Sequence, residues 1–217
     1  MAKDLKNGKP GRNRLRFFRK IGIDPNFSVA ADLEHGGKVK VVALKDAAKV
    51  AGHADGLITK ALGLTLTVTG ADCFPVYFYD QRRGLVGIAH CGWRGIVKHL
   101  PINMIEKFKK LGSHVQDIKV IIGPGIRACH FEVKEDLIQK FTKAYPFAIA
   151  NKRGRVKVDL PAIIRFQLYK HNLAVPHISD SEECTYCNRQ KYFSFRRDKP
   201  EHIKAQIAYI QLGQSIA

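Results

Sequence analysis

Two methionines in 217 residues leave no soft, methionine-lined route for copper. Five cysteines, at positions 73, 91, 129, 184 and 187, form an odd set too sparse for a disulfide scaffold. Reduced thiols, used for metal binding or thiol chemistry, are what that pattern leaves. No run approaches the roughly 20 apolar residues of a bilayer span. The first 20 residues are basic and polar with no apolar stretch behind them, which argues against a signal peptide and for a cytoplasmic protein. Neither a G-x-G-x-x-G fingerprint nor a glycine-rich run ending in Lys-Ser/Thr occurs, so dinucleotide and P-loop chemistry fall away. Acid is scarce: 19 Asp and Glu face 37 Lys and Arg, a formal charge of +18. Such a surface attracts nucleic acid, acidic membranes or small anions. Without an RNP-like strand, a Cys₂His₂ spacing or a heptad repeat, the charge reads as a solvated basic face serving small anions, not sequence-specific nucleic acid.

At this length a chain buries roughly 70% of its extended surface without staples, and no linker or repeat divides it. The expectation is one domain over 1–217, with 1–11 a frayed basic lead. Period-two and β-branched runs predict strands at 39–44, 57–59, 64–69, 76–79, 85–89, 118–122 and 156–158. Arg83-Gly84 predicts a hairpin turn. Helical spacing covers 95–110, with Pro101 marking a restart, and continues in 135–145 and 161–172, the last capped by Asp159. The block 192–195 reads as a strand, and 202–211 as a closing helix. The elements add up to an α/β (α+β) protein with mixed sheets flanked by helices.

Cys73 and His90 are the residues that most invite chemistry. Each follows an apolar strand and sits in a polar, glycine-flanked segment, so two strand ends can bring them to one rim. A thiolate and an imidazole suit zinc, and His35, also beside glycines, is the best third ligand. The competing use makes Cys73 a nucleophile and His90 its base. Cys184-Thr-Tyr-Cys187 has knuckle or redox-pair spacing, but no second cysteine pair completes a four-thiolate site, and packing or loop structure is the better explanation. In His90-Cys91-Gly92-Trp93-Arg94-Gly95, Arg94 offers a planar fork to phosphate or carboxylate, while Trp93 serves either a ligand or the core. Arg196 and Arg197 fit an anion or a solvated edge. Glu132 and Asp159 fit acid–base work or local hydrogen bonding.

Taken in order, the motifs Glu34-His35-Gly36, Asp55-Gly56-Leu57-Ile58-Thr59, Ala71-Asp72-Cys73-Phe74-Pro75-Val76 and His90-Cys91-Gly92-Trp93-Arg94-Gly95 resemble the YfiH-like, or laccase-domain, family. The series continues through Ile122-Gly123-Pro124-Gly125-Ile126, Phe131-Glu132-Val133, Val158-Asp159-Leu160, Cys184-Thr185 and Phe193-Ser194-Phe195-Arg196-Arg197. The resemblance implies a YfiH-like fold and a zinc site of His35, Cys73 and His90, with copper as the alternative metal. It implies purine nucleosides and inorganic phosphate as partners of a monomer or homodimer. The expected activity is phosphorolysis of adenosine, inosine, guanosine or methylthioadenosine, together with adenosine deamination. Cys73, His90 and Arg94 would form the catalytic set. Zinc brings the pKa of a bound water toward neutrality, which suits attack on an amino-bearing purine carbon.

The chain departs from the family pattern at three positions. Leu33 stands where the family has Gln, Gly70 where Thr is common, and Cys91 where Ala is common. The older polyphenol oxidase label meets a simple objection. A four-copper oxidase consumes about ten histidines, often in His-X-His pairs, whereas this chain has nine and no such pair; a single His₂Cys site is chemically sound. A weakly active metal- and nucleotide-binding protein and a Cys–His thiol hydrolase remain the alternatives.

Overall fold

The computed structural model describes residues 12–199, 201 and 204–213. The expectation for 1–11 therefore lies outside the described residues. After helix α1 (Arg12–Lys20) come five strands: β1 (Ser28–Asp32), β2 (Val39–Val41), β3 (Val50–His53), β4 (Gly56–Thr59) and β5 (Thr65–Gly70). The hairpin β6 (Phe74–Asp80) and β7 (Leu85–Cys91) leads into helices α2 (Trp93–Val97) and α3 (Leu100–Lys110), then β8 (Ile118–Ile122). The remainder is α4 (Glu135–Ala144), β9 (Ile149–Lys152), β10 (Arg155–Val158), α5 (Leu160–Lys170), β11 (Ile178–Asp180), α6 (Phe195–Asp198) and β12 (Gln206–Gln211).

Two mixed sheets carry the fold. The larger runs β11-β8-β6-β7-β4-β2, with β11–β8 and β4–β2 parallel and the central pairs antiparallel. The smaller runs β12-β5-β1-β3, with only the β12–β5 pair antiparallel. A two-stranded ribbon, β9–β10, stands apart. Strand periodicity explains the layering. On β6, Phe74, Val76 and Phe78 join a core with α3 and α5, whereas Tyr77 and Tyr79 pack toward the core of the smaller sheet. All seven residues of β7 are buried, as befits a strand covered on both faces.

The helical stretch breaks where Pro101 suggested. Lys98 closes α2, His99 takes a left-handed conformation (φ 59°), and Pro101 lies in the first turn of α3, where its missing N–H costs nothing. Asp159 caps α5 through Ala162 N–H at 2.9 Å. Among the described residues, no helix is long and apolar enough to cross a membrane.

Two expectations are overturned. The block 192–195 is not a strand: Ser194 is the N-cap of α6 and accepts from Arg197 N–H at 3.2 Å. The closing segment is not a helix, since Gln206–Gln211 pairs antiparallel with the whole of β5. Ala208, Ile210 and Leu212 meet the smaller sheet's core at period two, and that burial outweighs local helical preference.

Helix α3 lies close on the large sheet because glycines face it. A Cβ at Gly87 would stand 2.7 Å from Met104 Cε, 3.0 Å from Phe108 Cε2 and 3.1 Å from the Leu57 carbonyl. Gly87→Val is therefore expected to cost about 1–3 kcal/mol by overpacking, read as a lower urea midpoint with unchanged slope.

Candidate active site

Three strand ends converge. His90 is delivered near the end of β7, Cys73 by the bend between β5 and β6, and His35 by the loop after β1. Their ligand atoms all lie within 4.8 Å of one another. The two imidazole centroids are 4.9 Å apart, edge to face. Close approach depends on Gly92, where a Cβ would stand 2.7 Å from Cys73 Sγ and 3.1 Å from the His35 ring.

Each residue is fixed by a partner. His90 Nδ1 lies 2.8 Å from the Thr69 carbonyl, so it carries the proton, and Nε2 is left with its lone pair. That Nε2 is buried and has no hydrogen-bond partner among the described residues. Asp55, wholly buried, accepts from the backbone N–H groups of Glu34 (3.3 Å), His35 (2.9 Å) and Gly36 (2.7 Å). These bonds hold His35 at a φ of 56°. Before Cys73, Asp72 has a φ of 91°, a costly conformation for a residue with a Cβ. Its carboxylate accepts from Thr185 Oγ1 and from Arg196 N–H, both at 2.7 Å, and its carbonyl from Ile126 N–H at 2.8 Å. Asp55 and Asp72 are the positioning residues that spacing alone did not reveal. The Asp-Gly and Ala-Asp-Cys motifs were their only signal.

Burial pushes the Cys73 thiol up to about 12, with Asp72 and Asp55 adding to the shift and Arg94 opposing it. A thiolate is therefore unfavourable here unless a cation joins it. Burial, helped by His35, lowers His90 to about 4 against the pull of its Thr69 bond. A buried His90 imidazole that disfavours its charged form and a thiol awaiting a cation, with the His35 ring beside them, suit a metal better than a nucleophile–base pair.

The three residues line a cavity of about 480 Å³, with Leu33, Phe131 and Phe195 among its apolar walls. Arg94 lies on it with its guanidinium 4.4 Å from the Trp93 ring centroid. Arg196 also lines it and donates to the Glu132 carbonyl at 2.9 Å. Arg197 does not, being occupied by the Thr185, Tyr186 and Tyr192 carbonyls at 2.8 Å each. Glu132 and Asp159 fall outside the lining, and Asp159 is a helix cap. Leu33 makes the wall apolar where the family pattern has Gln. Gly70 is explained by contact, since a Cβ there would stand 2.8 Å from the Cys73 carbonyl. Cys91 is wholly buried in the core. The Cys184–Cys187 knuckle is not alone: Cys129 and His130 join it in a second cluster.

A mixed α/β fold here brings two imidazoles and a thiol to an apolar-walled cavity, a donor set that can hold one metal ion. Residues 7–212 match the family described as multi-copper polyphenol oxidoreductase laccase, and the chain belongs to that family. It is 33% identical over 201 residues to purine nucleoside phosphorylase YlmD of Bacillus subtilis (strain 168), covering 87% of this chain and 72% of the relative. It is 29% identical over 196 residues to adenosine deaminase RL5 of an unknown prokaryotic organism, covering 85% and 75% respectively. Among solved structures, YfiH of Bacillus licheniformis superposes with a TM-score of 0.86 at 31% identity, over 92% of this chain and 79% of that one. YlmD from Geobacillus stearothermophilus gives 0.85 at 28% identity, over 93% and 79%. The expected YfiH-like fold is thus present.

Two outcomes test this geometry. Asp55→Ala strips three backbone amides of their acceptor and is expected to cost about 3 kcal/mol in urea unfolding. Without a bound cation, His90 titrates near 4 when folded, against 6.5 unperturbed. A lowered folded pKa keeps stability intact above the unfolded value and loses it as pH falls toward the folded one. Urea midpoints of metal-free protein should therefore drop between about pH 6.5 and 4, this residue contributing at most about 1.4 kcal/mol per pH unit. His90→Asn should remove that contribution.

Proposed function

We propose that the chain is a single-domain, zinc-dependent purine nucleoside phosphorylase that also deaminates adenosine. The observation that carries the reading is the meeting of His35, Cys73 and His90 within 4.8 Å on a cavity also lined by two arginines. The family and the names of the relatives support the substrate class. The donor set fits the metal, since a buried His90 Nε2 without a partner and a thiol unfavourable as a lone thiolate both call for a cation. Zinc held there would supply Lewis acidity to the reacting centre.

The chain's own residues do the rest. Phe131 and Phe195 give the purine an apolar seat, and Leu33 extends it. Arg94, braced on Trp93, grips phosphate through a two-pronged guanidinium. A phosphate oxygen then bonds to the anomeric carbon of the ribose as the carbon–nitrogen bond breaks. The bonding pair leaves with the purine, which takes up a proton. Electropositive groups fixed in advance stabilise this shift of charge without reorganising. Asp32 lines the cavity with its side chain 44% exposed, so it can exchange protons with solvent. Asp72 is less suited, because both its oxygens already accept hydrogen bonds.

The test is a purine nucleoside screen with and without phosphate, reading pentose phosphate and ammonia. Arg94→Lys, which replaces a fork by a point charge, is expected to raise the apparent KM for phosphate about tenfold and to spare deamination. Equal losses in both reactions would assign Arg94 to the nucleoside or the fold. Ala at His35, Cys73 or His90 is expected to lower metal content and turnover together. Full activity in the metal-free chain, or copper as the bound metal, would overturn the zinc reading. The thiol hydrolase alternative predicts instead that Cys73→Ala abolishes turnover while chelation does no harm.

A further inference from the structure

The Cys184–Cys187 knuckle lacks a partner pair in sequence, yet the fold supplies one. The loop after β8 brings Cys129 and His130 against it. Cys129 Sγ lies 3.5 Å from Cys184 Sγ and 3.7 Å from Cys187 Sγ. His130 Nδ1 lies 3.2 Å from Cys129 Sγ and 3.3 Å from Cys187 Sγ. The four ligand atoms are all within 4.8 Å of one another, and the three cysteines are free thiols.

These separations are those of a tetrahedron around an ion. Zinc–sulfur bonds of about 2.3 Å and zinc–nitrogen bonds of about 2.0–2.1 Å give sulfur–sulfur edges of about 3.8 Å and sulfur–nitrogen edges of about 3.5 Å. The surroundings pre-form the site. The His130 ring stacks on Tyr186, inside the knuckle, with centroids 3.9 Å apart and planes within 15°. Lys157 Nζ, 2.5 Å from the Cys129 carbonyl, places a positive charge beside a site whose three thiolates and one divalent ion would carry one net negative charge.

We propose that Cys129, His130, Cys184 and Cys187 form a second, structural zinc site, separate from the His35 cluster. Three soft thiolates and an imidazole, with no fifth ligand in the cluster among the described residues, select zinc over calcium or magnesium and leave no open position for catalysis. The site clamps two loops that carry the cavity wall. One contains Ile126 and Phe131; the other continues to Phe195 and Arg196. Between them, Gly125 and Cys184 form a parallel bridge, and Thr185 N–H donates to the Gly125 carbonyl at 3.1 Å. Thr185 in turn holds Asp72 beside Cys73, so the clamp steadies the catalytic cavity without touching substrate.

The full-length chain, purified and zinc-loaded under reducing conditions, is expected to hold two zinc ions by elemental analysis. Cys129→Ser with Cys187→Ser should hold one fewer and melt at a lower temperature. Cobalt substitution of the wild type should give an intense tetrahedral spectrum with sulfur-to-cobalt charge transfer from three thiolates, most of it lost in the double variant. The wild-type spectrum needs no variant to fold. Failure of the His35 site alone would lower the stoichiometry to one but leave the three-thiolate signature. A wild-type spectrum with at most one thiolate, iron in place of zinc, or a double variant that keeps its full metal content would overturn the proposal.

Discussion

Asp55 ties together two of the three residues on which the cavity depends. Its carboxylate gathers the amides of the His35 loop, and its backbone carbonyl accepts from His90 N–H at 2.7 Å. A wholly buried carboxylate is costly unless its hydrogen bonds are made, and here they are made by backbone that has no strand partner of its own. The loop would otherwise be free to choose among many conformations. Bound to Asp55, it presents His35 at a positive φ that the residue would not adopt alone.

Cys73 is held by the same device in mirror form. The Asp72 backbone is strained, and Thr185 and Arg196 fix its carboxylate from across the chain. Both arrangements spend buried polar groups on position, which is the expense of preorganisation. They also connect the cavity to the region around Cys184, because Thr185 follows that cysteine directly.

The basic character of the chain is used unevenly. Arg127 and Arg165 both pair with Asp180, and Arg197 is absorbed by carbonyls of its own loop. Arg94 is different, with its charge resting on an aromatic face at the cavity. A sum of charges cannot tell these uses apart. The partners of each guanidinium can.

Strands from 57 to 122 were legible because burial on one or both faces writes itself into the sequence as alternation or continuous apolar runs. The helix restart at Pro101 and the Asp159 cap were legible because both are local backbone chemistry. His35, Cys73 and His90 emerged from residue type, glycine context and family motifs. Gln206–Gln211 was misread as helix because its pairing partner, β5, lies some 140 residues earlier. The Cys129–His130 half of the second cluster stayed hidden for the same reason, standing about 55 residues from Cys184 with no spacing rule to join them. What residues do through their neighbours in sequence was determined by the sequence itself. Which distant residues would share an acceptor, a strand edge or a cluster of thiols and imidazoles was decided only by the tertiary structure, since those contacts form between segments that the fold alone brings within a few ångströms.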